Sequence, residues 1–82
     1  MQPKIVDLAS LEDYRLKLTY ETGEIKIFDV KPYIFGGWFG KLHDVGYFKS
    51  VRILPDGKGI KWHDGQDIAP HELYEESVPF VA

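Results

Sequence analysis

Four side chains that could bind a divalent metal ion fall within nine residues near the end of the chain. They are His63, Asp64, Asp67 and His71. Imidazole nitrogens and carboxylate oxygens are common ligands of zinc and related metals. The spacing lacks the regular pair at i and i+4 with which a helix presents two ligands on one face. Asp64 is explained as the turn residue before Gly65, so we predict no metal site and no cofactor.

The residue types that could carry catalysis do not form a recognisable group. No serine lies in a Gly-x-Ser-x-Gly nucleophile elbow. Asp13 with Asp29, or Asp64 with Asp67, could serve as an acid–base pair, but aspartates at such positions equally serve in loops and helix caps. We therefore predict that the chain is not an enzyme. An uncharacterised enzyme or a metal-binding protein is the third hypothesis.

An aromatic segment in the middle of the chain is the first candidate for binding. Its large rings are Tyr33, Phe35, Trp38 and Phe39. One interpretation makes this segment the lid of a small core, which needs large rings to cover it. The other makes part of it an exposed anchor for a partner protein or a second copy, because Trp and Tyr dominate interface hot spots.

Basic residues on predicted strands are the second candidate. Arg15, Lys17, Arg52 and Lys61 take the outward positions of strands that could be neighbours. If these strands share a sheet, the four residues form a modest basic face for an acidic partner or an RNA backbone. The alternative is an ordinary solvated face interleaved with acidic side chains.

Length and composition limit the class of protein. The chain has 82 residues, no cysteine, and a net charge of −3 from ten basic and thirteen acidic residues. One domain, 1–82, is expected, without disulfides or a thiolate zinc site. The negative balance opposes non-specific binding to nucleic acid. Because no secretory signal and no apolar run of about 20 residues is found, we expect a cytoplasmic protein without membrane contact.

Strands are predicted over the first third of the chain. Tyr14–Tyr20 alternates strictly between apolar and polar residues, which is the clearest strand signal. A strand over Lys4–Leu8 precedes it, with 9–13 as a polar connection. The hairpin partner is Glu24–Val30, after a turn at Gly23. Its alternation slips, which either a bulge near Ile27 or cover on both faces would explain.

Short elements follow the aromatic segment. Asp44 is expected to cap a short helical turn. Strand-like pieces follow around Val51–Ile53 and Gly59–Trp62, joined by a turn over 55–58. A C-terminal helix is expected to begin at Pro70, and residues 77–82 are expected to form a tail. These elements predict an α+β fold: a small, mostly antiparallel sheet of about four to six strands with short helices.

Two stretches together resemble a known family. The first reads Asp13-Tyr14-x-Leu16-x-Leu18-x-Tyr20-x-x-Gly23-Glu24-x-x-x-Phe28-Asp29-Val30-x-Pro32, and the second reads Trp62-His63-Asp64-Gly65-x-Asp67-Ile68-Ala69-Pro70-x-x-Leu73-Tyr74. Phe39-x-x-Leu42 and Phe48-x-x-Val51 also fit between them. With these residues the chain resembles the family called domain of unknown function 2442, a set of short bacterial proteins. It departs from the usual pattern at His63, where relatives typically have proline, which argues against a family function for that histidine.

The resemblance implies a small fold of antiparallel strands, short helices and a helical C-terminus. Some members of the family carry a helix-turn-helix segment after this domain, and some are encoded beside another small protein in an arrangement similar to toxin–antitoxin pairs. The resemblance supplies no catalytic residues. Our leading expectation is a non-catalytic protein-interaction module of a bacterial cytoplasmic system, binding a small protein or itself. The alternative is an accessory domain of a nucleic-acid regulatory system.

Overall fold

The computed structural model describes residues 2–34 and 39–80, and only the backbone of Phe39. Its strands are β1 Ile5–Leu11, β2 Arg15–Tyr20, β3 Ile25–Asp29, β4 Arg52–Ile53, β5 Ile60–Lys61, β6 Asp67–Ile68 and β7 Val78–Pro79. Two α-helices, α1 Val45–Phe48 and α2 Pro70–Glu76, accompany them, with 3-10 turns at Lys31–Tyr33 and Phe39–His43. The predicted α+β fold with a C-terminal helix is confirmed.

The strands form two antiparallel sheets. The first sheet has the order β1-β2-β3-β7, and the second has the order β4-β5-β6. The chain leaves the first sheet after Asp29, where Pro32 cannot donate to a strand ladder and a 3-10 turn begins. Between that turn and β4 the described backbone is helical or irregular, which separates the later strands from the first hairpins.

The alternating pattern of β2 is confirmed, and it fixes the two faces of the first sheet. Leu16, Leu18 and Tyr20 are buried, whereas Arg15 and Lys17 lie on the opposite, outer face. Burying each such apolar side chain contributes about 1.5–3 kcal/mol relative to exposure. This face therefore anchors the sheet on the core.

The strand before β2 is longer than predicted. β1 continues to Leu11, which pairs with Arg15, instead of ending at Leu8. Residues 9–11 are therefore strand rather than a polar connection, because pairing with β2 overrides their weak local pattern. The register shift of the first hairpin lies between Ile5 and Asp7 of β1, while β3 pairs regularly through Ile27. The irregular alternation of apolar and polar residues in β3 thus reflects partial burial of its side chains on both faces of the sheet, and not a bulge.

The last described residues are not a tail. Val78 pairs with Ile27, and the N–H of Phe80 donates to the C=O of Ile25 at 2.8 Å. The Lys17 ammonium lies 5.0 Å from the centre of the Phe80 ring. The expectation for 77–82 is wrong as far as Phe80, because a strand edge on β3 offers hydrogen bonds that the local sequence does not reveal. Residues 81–82 lie outside the description.

One core joins both sheets. Among the described residues its largest fully buried side chains are Trp62, Phe28, Phe48, Leu16, Leu18, Leu42, Ile60 and Leu73. Phe48 of α1 lies between the sheets, with its ring centre 6.2 Å from that of Trp62 and 5.4 Å from that of Tyr14. The Trp62 Nε1–H donates to the Phe48 C=O at 2.9 Å. Asp44 caps α1 as predicted, accepting from the N–H of Gly46 at 2.9 Å.

Candidate functional site

The potential metal ligands do not converge. No group of three or more His, Cys, Asp or Glu side chains within 2–34 and 39–80 is placed to hold a metal ion. Asp64 instead forms an ion pair with Lys41 at 2.6 Å. The hydrogen bond from Lys41 holds the pKa of the Asp64 carboxyl below its ordinary value. Asp64 lies in the turn before Gly65, and its carboxylate pairs with Lys41 of the 3-10 turn Phe39–His43.

The carboxylates Asp13 and Asp29 both lie near one ammonium group. Lys31 Nζ is 2.6 Å from Asp13 and 3.9 Å from Asp29. The hydrogen bond from Lys31 lowers the pKa of Asp13. A general acid needs a carboxyl whose pKa is raised toward neutrality. Asp13 is arranged for the opposite state, with its charge compensated by Lys31.

Tyr33 is the one aromatic candidate whose side chain the structure describes. Its ring is half-buried and lies 5.6 Å from the ring of Phe28. Its hydroxyl donates to Glu72, with Glu76 at 3.3 Å. Burial and these carboxylates raise the pKa of Tyr33. Tyr33 thus packs on the core and contacts α2, while Phe35, Trp38 and the side chain of Phe39 lie outside the described residues.

The four basic candidates do not share a sheet. Arg15 and Lys17 lie on β2 of the first sheet. Arg52 and Lys61 face each other across β4 and β5 of the second sheet. The condition for a single basic face is therefore not met, because the chain divides its strands between two sheets.

The hydrogen bonds of Tyr20 establish which neighbouring strand the N–H and C=O groups of each β2 residue face. Its N–H donates to the C=O of Glu24, and its C=O accepts from the N–H of Gly23, both at 2.9 Å. Both groups of Tyr20 therefore point toward β3. Since backbone groups alternate sides along a strand, Thr19 and every second residue before it point toward β1.

β1 carries hydrogen-bonding groups along a free edge. Asp7, Ala9 and Leu11 pair with the β2 residues that point toward β1. The N–H and C=O groups of Leu8 and Ser10 must then point away from β2. No strand in the described part of the chain pairs with that side of β1. We call the segment 7–11 the β1 edge.

The β1 edge differs from the opposite edge of its sheet. β7 has two residues, and one is Pro79, which has no N–H to donate. Proline, lysine and short length are the usual protections of an edge strand against pairing with another chain. Within its seven residues β1 contains neither lysine nor proline. Its one charged residue, Asp7, and its register shift lie toward the start of the strand, so the part from Leu8 to Leu11 is weakly protected.

A cavity of about 280 Å³ lies at the end of the β1 edge. It is lined by Ser10, Leu11, Glu12, Asp13, Tyr14, Val45, Phe48 and Lys49. Val45 of α1 has 53% of its surface exposed, and Val6 at the other end of β1 has 59% exposed. Two of the exposed large apolar side chains therefore flank this edge. Val45 also lines the cavity, and a concavity with an apolar lining is a common form of binding site.

The turn that forms one wall of the cavity is conformationally strained. Asp13 and Tyr14 have positive φ angles of 64° and 58°. For a bulky side chain such a conformation costs about 1–3 kcal/mol and persists only where the surroundings enforce it. Here the Tyr14 C=O accepts from Val30 N–H at 2.9 Å, and the Tyr14 hydroxyl donates to the His43 C=O. The cavity wall is therefore held from two sides.

Sequence reasoning missed Leu8, Ser10 and the cavity beside them. The local pattern ends the strand at Leu8 and therefore predicts that Ser10 lies in a loop. One available signal was the run Ile5–Leu11, which lacks the lysine and proline that usually protect an edge. That signal becomes interpretable only when the strand order is known.

A family model covers nearly all of this fold. The model described as "Protein of unknown function (DUF2442)" matches residues 5–79. The chain belongs to the DUF2442 family. The match extends from the first residue of β1 to the last residue of β7, so it covers the strands of both sheets. No curated protein and no solved structure matches the chain significantly.

Neither described helix of this DUF2442 chain is long and apolar enough to cross a bilayer.

Proposed function

We propose that this DUF2442 protein is a non-catalytic protein-interaction module that binds an extended segment of protein chain along the β1 edge. The observation that carries the proposal is the outward direction of the Leu8 and Ser10 backbone groups on an edge strand without a partner. Added strands obtain affinity from main-chain hydrogen bonds and specificity from pockets for alternate side chains.

The cavity supports this mode of binding. A strand added at the β1 edge runs past Ser10 and Leu11, which line the cavity together with Phe48 and the exposed Val45. Successive side chains of an added strand point to opposite faces, so every second one is directed toward α1. A volume of about 280 Å³ accommodates an apolar side chain at this point.

Charge distribution favours protein over nucleic acid as the partner. The net charge is −3, and the four basic candidates are divided between two sheets. Binding to a nucleic-acid backbone depends on several cations that act together on one surface. A bacterial cytoplasmic setting is part of the proposal, supported by the absence of cysteine from the sequence and by the resemblance to short bacterial proteins.

The substitution Ser10→Pro tests the proposal. Proline removes the outward N–H of Ser10, and the ladder to β2 does not use that group. A partner captured from the host organism and then purified should bind Ser10→Pro at least about tenfold more weakly, the effect of roughly one net hydrogen bond. Isothermal titration calorimetry measures the loss, and circular dichroism verifies that the variant is folded.

The matched control is the double variant Arg52→Ala/Lys61→Ala in the second sheet. It leaves the β1 edge intact, so its affinity should stay near that of the wild-type protein. Wild-type affinity of Ser10→Pro would contradict the proposal. Recovery of RNA that depends on Arg52 and Lys61 would favour the nucleic-acid alternative.

A further inference from the structure

We infer that the occupant of the β1 edge is a second copy of this chain, paired antiparallel through β1 about a two-fold axis at Ala9. This inference rests on the proposed function, because it uses the same edge and names its partner. The product is a continuous sheet of eight strands, four from each copy.

The free segment has the symmetry that this pairing needs. At one end the N–H of Ile5 donates to the C=O of Gly57 at 2.7 Å, so the turn that contains Gly57 closes the edge there. At the other end the chain turns back after Leu11 toward β2. The open stretch is therefore 7–11, and its centre is Ala9.

Pairing about Ala9 satisfies the free backbone groups. Leu8 of one copy lies opposite Ser10 of the second copy, and both residues direct their N–H and C=O groups across the edge. In an antiparallel ladder such a pair exchanges two hydrogen bonds. The two-fold axis repeats the pair, so all outward groups of Leu8 and Ser10 find partners.

The residue at the axis suits close approach. Ala9 would face Ala9 of the second copy as a non-hydrogen-bonded pair, in which Cα atoms are only about 4.5 Å apart. Ala9 is exposed on the outer face, and its methyl group is small enough for that separation. A larger side chain at this position would crowd its own symmetry mate.

Charges on the outer face are complementary in this register. Asp7 lies opposite Leu11 of the second copy, and Leu11 pairs with Arg15 within its own sheet. Asp7 and Arg15 of the second copy therefore share one row, with Cα atoms about 10 Å apart at the usual strand spacing. A long arginine side chain reaches across such a distance, and the axis generates the same pair twice.

The exposed valines lie near the ends of the paired stretch in this register. Val6 directly precedes the paired stretch of one copy, and Glu12, which directly follows that stretch in the second copy, lines the same cavity as Val45. Both valines are more than half exposed in the single chain. Self-pairing thus brings the exposed Val6 of one copy toward the end of the second copy that carries Val45.

The substitution Ala9→Cys tests the geometry directly. The chain has no cysteine, so the introduced thiols are the only ones present. Disulfides need Cα atoms about 4.4–6.8 Å apart, which the pair at the axis meets. Under mild oxidation Ala9→Cys should form a covalent dimer at least about tenfold faster than the exposed control Arg52→Cys. Sedimentation equilibrium of the wild-type chain should give twice the chain mass of 9.5 kDa.

Ser10→Pro adds a second readout, because it should shift the wild-type dimer toward monomer. A wild-type monomer up to millimolar concentration, or Ala9→Cys that cross-links no faster than the control, would overturn the inference. A dimer that Ser10→Pro leaves intact would overturn it as well. A monomer that still binds another protein through the β1 edge would reject self-pairing and leave the proposed function standing.

Discussion

The hydroxyl group of Tyr20 is buried without a hydrogen-bond partner among the described residues. Its ring packs edge-on against Tyr74, with ring centres 5.2 Å apart. Burial is the main cause that raises the pKa of Tyr20 to about 12, from an ordinary value of 10.0. A buried polar group without a partner costs stability, and an isosteric apolar replacement removes that cost.

We expect Tyr20→Phe to stabilise the protein by about 1 kcal/mol. Tyr33→Phe is the matched control, since it removes a hydroxyl group that has carboxylate partners in Glu72 and Glu76. The control should lose about 1–2 kcal/mol. Urea denaturation at neutral pH measures both changes, and destabilisation by Tyr20→Phe would contradict the assignment of an unsatisfied hydroxyl.

The raised pKa values of Tyr20 and Tyr33 should make the folded protein less stable at alkaline pH. The folded pKa values of Tyr20 and Tyr33 are raised, so the unfolded chain releases these protons first as pH rises. Their contribution to stability is complete below pH 10 and is lost as pH rises through the folded pKa values. The free energy of unfolding should therefore fall between about pH 10 and 12, and less steeply in Tyr20→Phe. Equal slopes in the variant and the wild-type chain would contradict this reasoning.

Residues with local roles were predictable from sequence, and residues with distant partners were not. Asp44 caps α1 through a backbone N–H two residues away, and Asp56 accepts from Lys58 N–H in its turn. Tyr33 contacts Glu72, 39 residues further along the chain. A local sequence pattern cannot reveal a contact between residues so far apart in the chain.

Among the elements, the β2–β3 hairpin depends on one turn glycine. Gly23 has a φ of +92°, and a Cβ added there would meet no atom within 4 Å. The only cost of Gly23→Ala is thus the left-handed backbone, which we expect to be about 1–2 kcal/mol. Gly40 has equally open surroundings without a positive φ, so Gly40→Ala should change stability by less than about 0.5 kcal/mol. Thermal melting compares the two, and equal effects would contradict the account of the turn.

Strand existence was easier to predict than strand neighbours. The strict alternation of β2 was readable because one of its faces is buried. The end of β1 and the whole of β7 were not, because pairing with β2 and β3 holds them in place. The β1 edge follows from strand order, which is a property of several elements together.

In the molecule as a whole, the division of the strands into two sheets determines which residues can share a surface. It separates Arg15 and Lys17 from Arg52 and Lys61, and it places α1 beside the end of β1. The sequence predicted the fold class and the outward positions of these residues. It did not predict the separation, because nothing local shows that β4 pairs with β5 and not with the first sheet.

Amide hydrogen exchange tests most directly whether the β1 edge binds a protein chain. In the monomeric chain, obtained by dilution, the N–H groups of Leu8 and Ser10 should exchange faster than those of Ala9 and Leu11, which point toward β2. In complex with a second copy or another partner, exchange at Leu8 and Ser10 should slow by about tenfold or more. Unchanged exchange of these two amides between the monomer and the complex would contradict the account.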